Sequence, residues 1–171
     1  MIHCNLSAHL SYAKLAAPVA LDDFVALFLV SLNPPANVDP FVYLAGNSGD
    51  HQTYLTIDNG GVILSWDEAR GIVNNASGSV PNGVSLLRVS LQYGEWKMVW
   101  TGQAEQACVV GGDSSTNPIT FDLIGARGIH SQWPGYSNAG CRVLAAAILP
   151  GHPTPEDVAR VEVGLAGYQL S

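Results

Sequence analysis

The chain has 171 residues, enough for one domain with a sizeable core, and 47% of them are apolar, which excludes a disordered chain. Its formal net charge is −7, with only seven Lys and Arg scattered singly, which excludes the basic patch that nucleic-acid phosphates or anionic membranes require. Charged residues are 12%, against about 25% in ordinary soluble domains. The surface is therefore built from Ser, Thr, Asn, Gln, Gly and backbone. That suits contact with another protein or a neutral ligand, and equally an all-β protein with many short turns.

The N-terminal residues Met1-Ile2-His3-Cys4-Asn5 lack the basic segment of a secretory signal, so synthesis in the cytoplasm is expected. Asp22-Asp23 precede a continuous apolar run from Phe24 to Leu32, closed by Asn33-Pro34-Pro35. The run is too short to span a bilayer and reads as a strand buried on both faces or central in a sandwich. Residues 41–45 form the next strand and end at Gly46-Asn47-Ser48-Gly49. Residues 52–57 alternate into Asp58-Asn59-Gly60-Gly61, a strong hairpin signal, and residues 62–66 return. Residues 67–83 are a polar, Gly-rich connection. Leu87, Val89 and Leu91 alternate with polar neighbours, and Tyr93-Gly94 turns the chain into Trp96, Met98 and Trp100. These strand tryptophans, with Trp66, are expected in the core or on a sheet face. Residues 104–110 and 119–124 are further strands, joined by a second polar connection over 111–118. The longest aromatic-bearing loop covers 125–140.

The last strand runs from Cys141 to Leu149 and is halted by Pro150-Gly151-His152-Pro153. Thr154 suits a helix N-cap, Pro155 the first helical position, and Glu156-Asp157 the positive end of the helix dipole. Val158, Val161, Leu165 and Tyr168 then form one apolar stripe. About ten short strands separated by turn chemistry predict an all-β fold, a two-sheet antiparallel β-sandwich or jelly roll with a short C-terminal helix, as one domain over residues 1–171.

The three cysteines, Cys4, Cys108 and Cys141, are too few for a disulfide framework and lack Cys-x-x-Cys spacing. At least one thiol is free; one pair remains open. Asn5-Leu6-Ser7 and Asn75-Ala76-Ser77 match the glycosylation sequon, by chance on this reading.

Taken in order, four features resemble the concanavalin A-like lectin/glucanase superfamily in its laminin-G-like branch. They are the hairpin of residues 54–61, the turn pair 84–92 and 95–102, the strand 119–125 ending Leu-Ile-Gly, and the ending over 140–168. The resemblance covers roughly residues 50–170 and implies two antiparallel sheets, one concave. It leaves activity open, because that fold carries lectins, glycosidases, adhesion modules and virion proteins. One departure stands out: where the family's last strand often has Ala-Glu and an aromatic, this chain has Arg142 among small aliphatics.

No catalytic constellation emerges. Glycoside hydrolysis needs two flanking carboxylates, and no Glu here has Asp two residues later. Asp67 and Glu68 are adjacent, so on a strand they face opposite sides. Gly-x-Ser-x-Gly is absent, and His3, His9, His51, His130 and His152 are dispersed. Calcium would need several oxygen ligands; Asp50, Asp58 and Asp113 lie on turns, where local hydrogen bonding accounts for them. No cofactor or metal is expected. For sugar binding, His130, Gln132, Trp133, Tyr136 and Asn138 combine an aromatic platform with amides on one loop, and Asn47, Asp50 and His51 occupy a second polar loop.

These readings converge on a non-enzymatic recognition or assembly module. The expectation is a bacteriophage virion accessory protein, a decoration or fibre component made in the host cytoplasm, oligomeric, with a capsid or tail partner and some capacity for glycans. The alternative is a free-standing carbohydrate-binding lectin, and the third reading a glycoside hydrolase without the usual motif.

Overall fold

The computed structural model describes residues 12–33, 42–48, 54–57, 63–67, 71–74, 81–107, 109–111, 119–128, 135–136 and 141–169. Two antiparallel sheets face each other. The smaller contains β14 (Arg142–Pro150), β2 (Phe24–Leu32), β7 (Gly83–Gln92), β8 (Glu95–Trp100) and β9 (Gln106–Ala107), in that spatial order. The larger runs β1 (Ala13–Leu21), β11 (Ile119–Ile124), β3 (Val42–Gly46), β4 (Tyr54–Ile57), β5 (Ile63–Asp67), β6 (Gly71–Asn74) and β10 (Val109–Gly111). A two-stranded ribbon, β12 (Ala126–Gly128) with β13 (Gly135–Tyr136), packs against β3. The sequence-expected architecture, an antiparallel β-sandwich closed by a short helix, is the one observed.

The apolar run of β2 now has its reason. Phe24, Ala26, Phe28, Val30 and Leu32 enter the core between the sheets, with Leu87, Val89, Trp96, Met98 and Trp100 beside them and Val42, Leu44, Leu55, Ile57 and Phe121 opposite. Phe24 meets Trp96 and Phe121 edge-on, at centroid distances of 5.7 and 6.4 Å, the orientation that ring quadrupoles favour. The alternate residues Val25, Leu27 and Leu29 face outward, where helix α1 (Pro155–Ala166) covers them with Val158 and Leu165. Each such aliphatic side chain contributes about 1.5–3 kcal/mol by leaving water. Arg88, on the same outer face, ties the sheet to Glu162 of the helix and to Glu105, each at 3.2 Å.

The helix starts as its sequence requires. The Thr154 hydroxyl accepts from the Asp157 N–H at 3.2 Å and donates to Asp157 Oδ2 at 2.8 Å, and Pro155 opens the first turn. The apolar stripe ends one step early. Val158 and Leu165 are buried, whereas Tyr168, in a 3-10 turn over Gly167–Gln169, is 37% exposed.

Four further differences from the sequence reading are informative. β1 goes unheralded because Ala-Lys-Leu-Ala-Ala-Pro-Val-Ala-Leu has weak strand propensity; Pro18 is tolerated because β1 is an edge and its register with β11 shifts between Lys14 and Val19. The connection over 67–83 contains β6. The strand expected over 104–110 is split, with β9 in one sheet and β10 in the other, so the chain changes sheets there. The long loop over 125–140 has a paired base, β12 with β13, in which Ala126 opposes Tyr136. Trp96 and Trp100 are buried as expected, at 6% and 2% exposure.

Candidate functional site

The strand register brings three connections to one end of the smaller sheet. Phe24 pairs with Leu91 on one side and Pro150 on the other. Asp23 before β2, Tyr93 after β7 and His152 after β14 therefore become neighbours. The β7–β8 turn closes on the pair Gln92–Glu95 and contains two residues, Tyr93 at φ 53° and Gly94 at φ 77°. Two successive positive φ values define the type I′ hairpin turn, where Asn-Gly is the favoured pair. A tyrosine in the left-handed region is an outlier that its surroundings must hold in place.

The surroundings do so at three points. The Tyr93 N–H donates to Asp23 Oδ1 at 2.8 Å. The Tyr93 ring stacks on the His152 ring, with centroids 4.2 Å apart and planes 10° from parallel. His152 Nε2 lies 3.3 Å from Asp23 Oδ2. The backbone seals the same corner, since the Gly151 N–H, at a φ of 70°, donates to the Asp23 carbonyl at 2.7 Å. Despite this anchoring Tyr93 is 82% exposed, the most exposed of the large apolar side chains described. One face of its ring is taken by His152 and the other is open to solvent.

This arrangement offers an orientated aromatic face beside a carboxylate and an imidazole. It can stack the apolar side of a ring-shaped ligand and accept or donate hydrogen bonds at the ligand's hydroxyls. The imidazole has no described thiol beside it: Cys141 is buried at the opposite end of β14, a nine-residue strand about 30 Å long. In the sequence Tyr93-Gly94 reads only as a turn. The available signal was a tyrosine where a type I′ turn favours asparagine.

Of the sequence-predicted residues, Asn47 is described in full, and its Nδ2 donates to the Thr120 carbonyl at 3.2 Å. Beside it the Ser48 N–H donates to Asp122 Oδ1 at 2.6 Å, the Ser48 hydroxyl donates to Asp122 Oδ2, and Lys14 Nζ approaches Oδ2 at 3.9 Å. Asp122, 5% exposed, thus lashes the 47–48 turn to β11. Tyr136 is placed by its backbone on β13, opposite Ala126, beyond the last residue of β11, whereas Asn47 lies along the first half of that strand. The structure therefore does not bring these two together. His130, Gln132, Trp133, Asn138, Asp50 and His51 lie outside the described residues, as do Asp58, Asp113 and Glu68. Among the described residues no group of three or more His, Cys, Asp or Glu is placed to hold a metal ion.

No protein-family model and no curated protein matches the chain. Among solved structures, sheep galectin-11 in complex with glycerol is similar at a TM-score of 0.46 and 11% identity, over 80% of this chain and 98% of that one. Trypanosoma rangeli sialidase in complex with sialic acid is similar at a TM-score of 0.48 and 14% identity, over 80% of this chain but 22% of the sialidase. Likenesses at this level say nothing of ligand or activity.

Proposed function

We propose that the protein is a non-catalytic recognition module that binds carbohydrate, with the open face of Tyr93 as the platform for a sugar ring. The observation that carries this reading is the Asp23–Tyr93–His152 corner. An almost fully exposed aromatic ring is held in a strained backbone by a carboxylate and a stacked imidazole. Strain that persists on an exposed turn points to a role for the side chain that adopts it. The sugar's apolar face would lie on Tyr93, and its hydroxyls would reach Asp23 and His152, each still partly exposed. The lectin-like resemblance of the sequence agrees with this assignment. The Asp23–Tyr93–His152 corner favours free-standing recognition of a small ligand over the virion role expected from the sequence, so the lectin reading is preferred.

A glycan array probed with the full chain tests the proposal, followed by titration of the best sugar against Tyr93→Asn and Trp133→Ala. Selective binding that weakens at least tenfold in Tyr93→Asn is expected, the scale of losing one aromatic anchor. Silence across the array overturns the function. Binding lost in Trp133→Ala but kept in Tyr93→Asn moves the site to Trp133 and overturns the platform.

A further inference from the structure

Among the described strands, the free edges are β1 and β10 in the larger sheet and β14 and β9 in the smaller. Three are guarded. β1 carries Lys14 and Pro18 and breaks register with its neighbour, β9 has two residues, and β10 has three. Short length, lysine, proline and bulges are the devices that keep an edge from pairing. β14 is different. After a register shift between Val143 and Ala145 it runs Ala145-Ala146-Ala147-Ile148-Leu149 without charge, proline or further irregularity. Ala147, Ile148 and Leu149 remain partly exposed. Beside them lies an apolar groove of about 270 Å³, walled by Leu15 and Val19 of β1, Ile124 of β11, Ile148 and Leu149 of β14, and Val161 of the helix.

We infer that β14 pairs antiparallel with β14 of a second copy, about a two-fold axis at Ala147 perpendicular to the sheet. The sequence of the edge selects this occupant. An axis at Ala147 sets Ala145 opposite Leu149 and Ala146 opposite Ile148, so each large side chain meets a small one on the same face. Ala146 and Ile148 belong to the inner core, whereas Ala145 and Leu149 belong to the cluster under the helix.

Charge agrees with that register. Arg142 is the strand's only charged residue; it is exposed and has no ion pair among the described residues. Val143 points into the core, so Arg142 projects on the helix-bearing face. A two-fold axis perpendicular to the sheet preserves faces. Arg142 of each copy therefore passes the other copy's Pro150 toward the acidic first turn of its helix, where exposed Glu156 also lacks an ion pair among the described residues. The contact forms twice, and the two Arg142 side chains stay at opposite ends of the seam.

Sedimentation equilibrium of the full chain over a concentration series provides the test. The wild type should be a dimer. Arg142→Glu and Glu156→Arg, both at exposed positions, should each weaken dimerisation about tenfold, a change of about 1.4 kcal/mol. The double exchange should restore it. Circular dichroism and the fluorescence of the buried Trp96 and Trp100 confirm that each variant is folded. A wild type that stays monomeric at every concentration, including one that instead captures an extended peptide, overturns the inference. So does a dimer indifferent to both single changes, or one that the double exchange fails to restore.

Discussion

Replacing Tyr93 by asparagine separates a structural role for the ring from a recognition role. The turn needs φ 53° at this position, which asparagine adopts readily and tyrosine does not. Relief of the left-handed conformation is worth about 1 kcal/mol. Against it stands the stack on His152, about 0.5 kcal/mol at so exposed a site. The hydrogen bond to Asp23 comes from the backbone N–H and survives the change. The net expectation is a protein as stable as the wild type, or more stable by up to about 1 kcal/mol, a melting shift of roughly 2–4 °C at this chain length. Urea unfolding followed by the fluorescence of buried Trp96 and Trp100 measures it, with Tyr93→Ala as the contrast. Alanine keeps the strain and loses the ring, so it should be the least stable of the three. If Tyr93→Asn destabilises by more than about 1 kcal/mol, the ring is a clip for the fold and not a platform held in strain.

Three further outcomes are expected. Leu27, fully buried between the sheet and the helix, should cost about 2–5 kcal/mol as Leu27→Ala, whereas Val163→Ala, at 74% exposure, should stay within about 0.5 kcal/mol; denaturant midpoints compare them. Asp122→Ala strands the Ser48 N–H and hydroxyl and should destabilise by about 1–3 kcal/mol, with Asp122→Asn milder; thermal unfolding reads both. Burial pushes the Cys141 thiol above its usual range, outweighing the lowering effect of a backbone hydrogen bond with Asn33. The folded state then keeps a proton that the unfolded thiol loses. The associated stability is intact below the unfolded thiol's pKa and declines as pH rises toward the folded value, and a Cys141→Ala variant should show a flatter alkaline stability profile.

Much of the fold is legible in the sequence because its signals are local. The run from Phe24 to Leu32 marks a strand buried on both faces, and the helix accounts for its second buried face. Thr154 and Pro155 fix the helix start, and alternation around Tyr93-Gly94 fixes the β7–β8 hairpin. What escapes depends on neighbours far along the chain. β1 is alanine-rich and interrupted by Pro18, and it becomes a strand only because β11 lies beside it. The candidate site escapes for the same reason. Asp23, Tyr93 and His152 look like three unrelated turn residues until the pairing of Phe24 with Leu91 and Pro150 sets them side by side. Asn47 shows the converse: a polar loop residue with the composition of a ligand contact is occupied in holding its turn to Thr120.

On the function proposed, the open face of Tyr93 receives a sugar. Proton NMR of the full chain during titration with the best sugar from the array addresses it directly, using Tyr93→Asn to assign the ring resonances. Saturable shifts of the Tyr93 and His152 ring protons, absent in the variant, are expected. Saturable binding that leaves both rings unmoved would contradict it.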